Sequence, residues 1–171
     1  MLSRFFASRN LSLDDGAVYL PQFLDKPTDY LSWTDVESCL NRDDVFWELI
    51  GDNGTKTNVE MFKPFWSPVP CQDKNTIYEH VQSNRSFVIT GYSKVNRNVR
   101  RLCTEIERST DSNVGVHVYG SRGKSPSFPI HCDNFANFII QTIGQTKWRV
   151  YKNKHSSLLR PTIDKNIKHG I

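Results

Sequence analysis

Residues 129–151 read PIHCDNFANFIIQTIGQTKWRVY, and how this stretch is resolved decides the fold of the chain. His131 and Asp133 stand two positions apart, so on an extended segment both side chains project to the same side. An imidazole and a carboxylate so placed can grip one ion. Alone the pair is a weak signal, because a surface histidine beside a turn aspartate has the same spelling. Its context is more specific. Asn134 to Ile143 and Thr146 to Tyr151 are β-rich runs separated by Gly144-Gln145, which predicts two antiparallel strands joined by a tight turn. On the first run Asn137 and Gln141 share a face by alternation, and Trp148 lies within the return strand.

Working upstream, Ser121 to Pro129 holds Gly123, Pro126 and Pro129 among small polar residues, a loop leading directly into His131. Before it, Asn113 to Gly120 alternates, with Val114, Val116 and Val118 on one face and His117 and Tyr119 on the other, which predicts a half-buried strand. Val95, Val99, Leu102, Cys103 and Ile106 recur at helical spacing opposite Arg100, Arg101, Glu105 and Arg108, so an amphipathic helix is expected over 95–110. Ser86 to Thr90 is a short strand ended by Gly91. Residues 1–75 scatter Trp33, Phe46, Trp47, Phe62, Phe65 and Trp66 between turn formers such as Gly51-Asp52-Asn53-Gly54. That segment reads as irregular packing against a later sheet, with one short helix capped by Ser32 or Thr34 and running to about Leu40. No internal repeat or low-complexity tract is present.

The 171 residues and their 37% hydrophobic content suit one core. A net charge of +4 is a mild excess, from which nucleic-acid binding is not expected. The basic tail, with Lys147, Arg149, Lys152, Lys154, Arg160, Lys165 and Lys168 against Asp164, reads as a solvated edge. Cys39, Cys71, Cys103 and Cys132 form no CxxC pair, which suits a reducing interior. No apolar run approaches the roughly 20 residues needed to cross a bilayer, and no secretion signal is evident. A soluble, intracellular, cytoplasmic protein without membrane partners is expected. Arg4 and Arg9 give Met1 to Asn10 a faint likeness to a transit peptide, and a frayed terminus is the plainer reading.

Taken with its flanks, the 129–151 stretch resembles the core motif of the JmjC and cupin-type oxygenases. It is nearest to the ribosomal-protein histidyl and arginyl hydroxylases and related to the asparaginyl hydroxylase of the hypoxia pathway. That pattern runs H-x-D, an apolar strand containing Gln, a Gly, a basic residue, then Trp and a basic-apolar-aromatic ending. The upstream order of strand, helix, strand and loop agrees, so the similarity covers about residues 80–155. It implies a mainly β chain with flanking helices, folded as a double-stranded β-helix of the jelly-roll or cupin kind. Residues 1–75 would be an irregular and helical region packing on the barrel, and 76–171 the N-terminal portion of a JmjC/cupin-like domain.

The resemblance also implies Fe(II) and 2-oxoglutarate as cofactors. His131 and Asp133 become iron ligands, two members of a 2-His-1-carboxylate face that leaves three positions open for a keto acid and O2. Asn137 and Tyr119 would lie near the keto acid, Thr146 or Lys147 would orient it, and Ser121–Phe128 would cover the entrance. The implied reaction is hydroxylation or demethylation of a protein side chain, on a ribosomal or other basic protein. A small molecule or a modified tRNA is also open.

Two departures bear on activity. The family places a Lys or Arg two residues after the hairpin Gly to hold the distal carboxylate, where this chain has Thr146, with Lys147 on the opposite face of a strand. Thr146 can donate a hydrogen bond, but without a charge-assisted pair the anion is held less strongly. The family's distal His follows a later Gly-Asp turn, and the chain ends at Ile171 before such a segment. His155, His169 and the upstream His117 are the weak candidates for a third ligand. Roughly four or five of about eight strands are visible, so the expectation is a domain incomplete at its C-terminus. Open edges and an uncovered apolar face then favour aggregation, pairing as a homodimer or instability. The alternative is a non-catalytic cupin/JmjC-like binding module or truncated pseudoenzyme.

Overall fold

A computed structural model of the chain describes residues 17–51, 54, 56, 57, 59, 61, 62, 71–121, 128, 130, 131, 133 and 135–151. After a 3-10 turn at Pro27–Asp29, the elements in chain order are α1 (Trp33–Cys39), β1 (Phe46–Ile50), β2 (Lys56–Thr57), β3 (Met61–Phe62), β4 (Cys71–Gln72), α2 (Lys74–Gln82), β5 (Ser86–Thr90), a 3-10 turn at Tyr92–Lys94, α3 (Arg97–Thr110) and β6 (His117–Gly120). No helix among the described residues is long and apolar enough to cross a membrane.

Each helix starts where a side chain can satisfy its orphan amides. Ser32 caps α1 in a reciprocal box, its hydroxyl accepting from the Asp35 amide while the Asp35 carboxylate accepts from the Ser32 amide at 2.8 Å. Asp73 caps α2 by accepting from the Thr76 amide at 2.9 Å, and Asn96 caps α3 by accepting from Asn98 and Val99. The predicted helix over 95–110 thus forms as Arg97–Thr110, burying Val99, Cys103 and Ile106. Val95 falls instead at the end of the preceding 3-10 turn.

An antiparallel sheet in the order β2-β1-β5-β6 organises the rest. On one face Trp47, Leu49, Phe87, Ile89 and Val118 pack with Val36, Cys39, Ile77, Tyr92, Val99 and Cys103 from the flanking segments. Each such apolar side chain is stabilised by on the order of 1.5–3 kcal/mol relative to exposure. β2 is too short to cover all of β1, and the Gln72 side chain takes over there. Its amide accepts from Trp47 N and donates to Trp47 O, both at 2.7 Å, as a neighbouring strand would. Gly120 sits so close to the Phe87 ring that an added Cβ would lie 2.1 Å from it, so the packing of this strand pair needs a glycine.

Three expectations change. Phe46–Ile50, placed in an irregular segment by the sequence reading, is an inner strand between β2 and β5. Its Trp47 and Leu49 alternate with exposed Phe46 and half-buried Glu48, a period-two signal hidden among turn formers. α2 was not anticipated at all, although Asp73, Ile77 and Val81 provide a cap and an apolar stripe. Finally, the two strands expected after H-x-D are not formed. Residues 135–151 belong to no strand, and Phe135, Ile139, Trp148 and Val150 are exposed. A strand exists only in a ladder, and none of the described strands pairs with this segment. The turn itself survives, since Gly144 adopts φ 72°, which favours glycine, and Gln141 Nε2 donates to Ile143 O at 2.8 Å. The described strands therefore make one four-stranded sheet and one two-stranded ribbon (β3 and β4).

Candidate metal centre

The second face of the four-stranded sheet carries the chemistry. Cross-strand register aligns Glu48, Val88 and Tyr119 in one row and Phe46, Thr90 and His117 in the next. Lys56 stands opposite Ile50 on the same face and forms an ion pair with Glu48. Ile50 and Val88 are buried, so the face has a small apolar floor bordered by Glu48, Lys56, Tyr119 and His117.

Phe128 and Tyr119 link the H-x-D segment to this face. The Tyr119 ring meets His117 at 6.4 Å and Phe128 edge-on at 5.8 Å, and Phe128 meets His131 at 6.2 Å. Tyr119 remains 66% exposed. What burial it has, followed by the Asp133 and Glu48 carboxylates, pushes its hydroxyl above the usual tyrosine range, against the opposing pull of Lys56. Tyr119 is therefore a neutral donor at physiological pH.

Asp133 is the hub of the centre. Its Oδ1 lies 3.7 Å from His131 Nε2, and its Oδ2 accepts from Asn137 Nδ2 at 2.7 Å. Two donors bound to one ion at about 2.1 Å stand roughly 3.0 Å apart at a right angle and about 4.2 Å when opposite. The observed separation lies between these values, so this pair would have to close by about 0.7 Å to take two right-angle positions on a single octahedral ion.

The structure thus brings together His131, Asp133 and Asn137, with Tyr119 within electrostatic reach. It does not bring in the remaining candidates. Thr146 and Lys147 are exposed, and Gln141 is occupied at the Gly144 bend. His117 is separated from His131 by two intervening rings. Among the described residues no group of three or more His, Cys, Asp or Glu side chains converges as a metal site. His155, His169, Cys132 and residues 122–127 of the expected cover lie outside the described residues. Phe128, the end of the expected cover, does lie beside His131, while sequence reading missed Glu48 and Lys56, since their place beside the centre depends on strand pairing across the sheet.

Comparison with known proteins bears on the same stretch. The JmjC domain family matches residues 70–169. Similar proteins include the bifunctional lysine-specific demethylase and histidyl-hydroxylase NO66 of Dictyostelium discoideum, 26% identical over 85 residues, which is 50% of this chain and 16% of that protein. The protein of the same name from Drosophila persimilis is 29% identical over 76 residues, 44% of this chain and 11% of its own length. That from Drosophila mojavensis is 34% identical over 71 residues, 41% of this chain and 8% of its own length. The match therefore spans less than a fifth of each of these relatives. No solved structure matches the chain. Because the family match takes in the H-x-D segment and covers more than half of the residues, this chain belongs to the JmjC domain family.

Proposed function

We propose that this chain carries the metal-binding segment of an Fe(II)- and 2-oxoglutarate-dependent oxygenase that hydroxylates or demethylates a protein side chain. The observation that carries this reading is the His131–Asp133–Asn137 cluster, inside the stretch that matches the JmjC domain. Bound iron and 2-oxoglutarate would supply the oxidising chemistry. His131 and Asp133 hold the metal, and the Asn137 amide fixes the rotation of the Asp133 carboxylate. The Tyr119 hydroxyl would donate to a keto-acid carboxylate, and Thr146 or Lys147, exposed in this structure, would add a donor only after moving towards the centre. Lys56 is the cation already on this face, and its three N–H donors allow it to serve an anion while keeping Glu48.

In this reading the face of Glu48, Val88 and Tyr119 lines the interior of a double-stranded β-helix. The domain takes in β1 as well as the residues from 76 onward, because Phe46–Ile50 is an inner strand of the same sheet. The relatives' names speak of lysine demethylation and histidyl hydroxylation, which supports a basic protein, ribosomal or otherwise, as substrate. A second reading, a non-catalytic module of the same family, is favoured by the exposed Thr146 and Lys147, neither of which has a side-chain hydrogen bond or ion pair among the described residues.

Anaerobic titration with Fe(II) and 2-oxoglutarate separates the two. The oxygenase reading expects the visible charge-transfer band of a chelated keto acid and a rise in melting temperature, both lost in His131→Ala and Asp133→Ala. No band and no thermal protection in the unaltered chain would leave the non-catalytic module standing.

A further inference from the structure

α3 presents a second chemical surface, unrelated to the metal centre. At 3.6 residues per turn, Arg97, Arg100, Arg101 and Arg108 fall within an arc of about 100°, opposite the buried Val99, Cys103 and Ile106. All four are exposed, and Lys94 extends the row beyond the helix start. None of the four is in an ion pair with a carboxylate among the described residues. The acids of this helix stand to the sides, with Glu107 turned to accept from the Val114 amide at 3.1 Å and Glu105 engaged in interactions of its own.

This arrangement opposes the stability of the helix that bears it. Arg97, Arg100 and Arg101 lie in the first turns, where the helix dipole disfavours cations, and the first turn holds no acid to offset them. Arg97 also faces Arg100 and Arg101 at the i+3 and i+4 positions, where like charges repel. An anionic partner would relieve both effects. The four guanidinium groups extend over about 16 Å of helix, at 1.5 Å per residue. Duplex nucleic acid presents a phosphate about every 1.7 Å of its axis, dense enough to meet such a stripe at several points, and planar guanidinium forks suit phosphate oxygens.

We propose that the exposed face of α3 is a nucleic-acid backbone-binding surface, with Arg97, Arg100, Arg101 and Arg108 as the phosphate contacts. The modest net charge of the whole chain conceals this local concentration. α3 packs Val99 and Cys103 on the Trp47–Leu49 side of the sheet, whereas Glu48 and Tyr119 face the other way. A bound duplex therefore leaves the H-x-D face open.

The test is fluorescence anisotropy of labelled RNA and DNA duplexes of mixed sequence with the 171-residue chain over a salt series. Four contacts predict that log Kobs falls with log salt at a slope of about −3.6, and the RNA and DNA arms show which backbone is preferred. Arg100→Glu with Arg101→Glu should lower affinity at least tenfold and flatten the slope by about 2, while the Lys versions retain it. Arg97→Glu should weaken binding yet raise the melting temperature, because an acid suits a first turn, so loss of binding cannot be attributed to unfolding. Binding insensitive to these changes, or abolished equally by Arg149→Glu in the basic tail, would overturn the proposal. So would tighter, equally arginine-dependent binding of an acidic polypeptide at the same ionic strength.

Discussion

The two oxygens of Asp133 face different groups, and that division of labour sets what substitution should do. With Oδ2 held by Asn137 and Oδ1 beside His131, the carboxylate is pre-oriented for an ion. Asn137→Ala should weaken divalent-metal affinity by about 10- to 100-fold through lost orientation, whereas Asp133→Ala should abolish it, as isothermal titration with Co(II) will show. Gly120 carries a purely structural demand. Gly120→Ala drives a methyl into the Phe87 ring and should cost about 1–3 kcal/mol in urea unfolding with little change in metal affinity. At this scale the H-x-D spacing was legible, because it needs no tertiary information, whereas Asn137 was expected beside the keto acid and its bond to Asp133 was not read. Glu48 and Lys56 were hidden as well, because they approach the centre only through partners distant in sequence.

The helices show how far local chemistry reaches. Caps, apolar stripes and stops are written within a turn or two, and α1 and α3 were readable for that reason. Asn96 joins α3 to the Pro27–Asp29 turn, since its side chain and that of Asn98 both donate to Asp29 O. Asn96→Ala should cost about 1 kcal/mol, measured by thermal unfolding. At α2 the Thr76 hydroxyl and amide, bonded to the Asp73 carboxylate, hold its pKa below the usual aspartate value. A lowered folded-state pKa means that this cap's stabilisation is present above the ordinary aspartate pKa and lost as pH falls through the lower, folded value. NMR titration should accordingly place the Asp73 midpoint below that of a free aspartate, and Asp73→Asn should remove this part of the acid sensitivity. The strands after H-x-D mark the opposite limit. Their alternation was legible, but their existence depends on an edge that the segment cannot supply.

For the molecule as a whole, the decisive event is the insertion of β1 between β2 and β5. It joins residues 46–50 to residues 86–120 in one sheet and places Glu48 two strands from Tyr119. The same organisation leaves Phe135, Ile139, Trp148 and Val150 exposed along one segment. Contiguous apolar surface of this kind drives association. Sedimentation should show mass rising with concentration, and Ile139→Lys with Trp148→Lys should suppress that rise without altering the melting temperature. A concentration-independent monomer would refute it. By itself the sequence determined the H-x-D spacing, the stripe of α3, the alternation of β6 and the family resemblance, since each is encoded in spacing along a few residues. Tertiary structure alone decided that β1 enters the sheet, that the Phe128 ring meets both Tyr119 and His131, and that residues 135–151 join no strand. Hydrogen-bond ladders and ring contacts are made between segments far apart in the chain, and no local pattern specifies which segment will supply the partner.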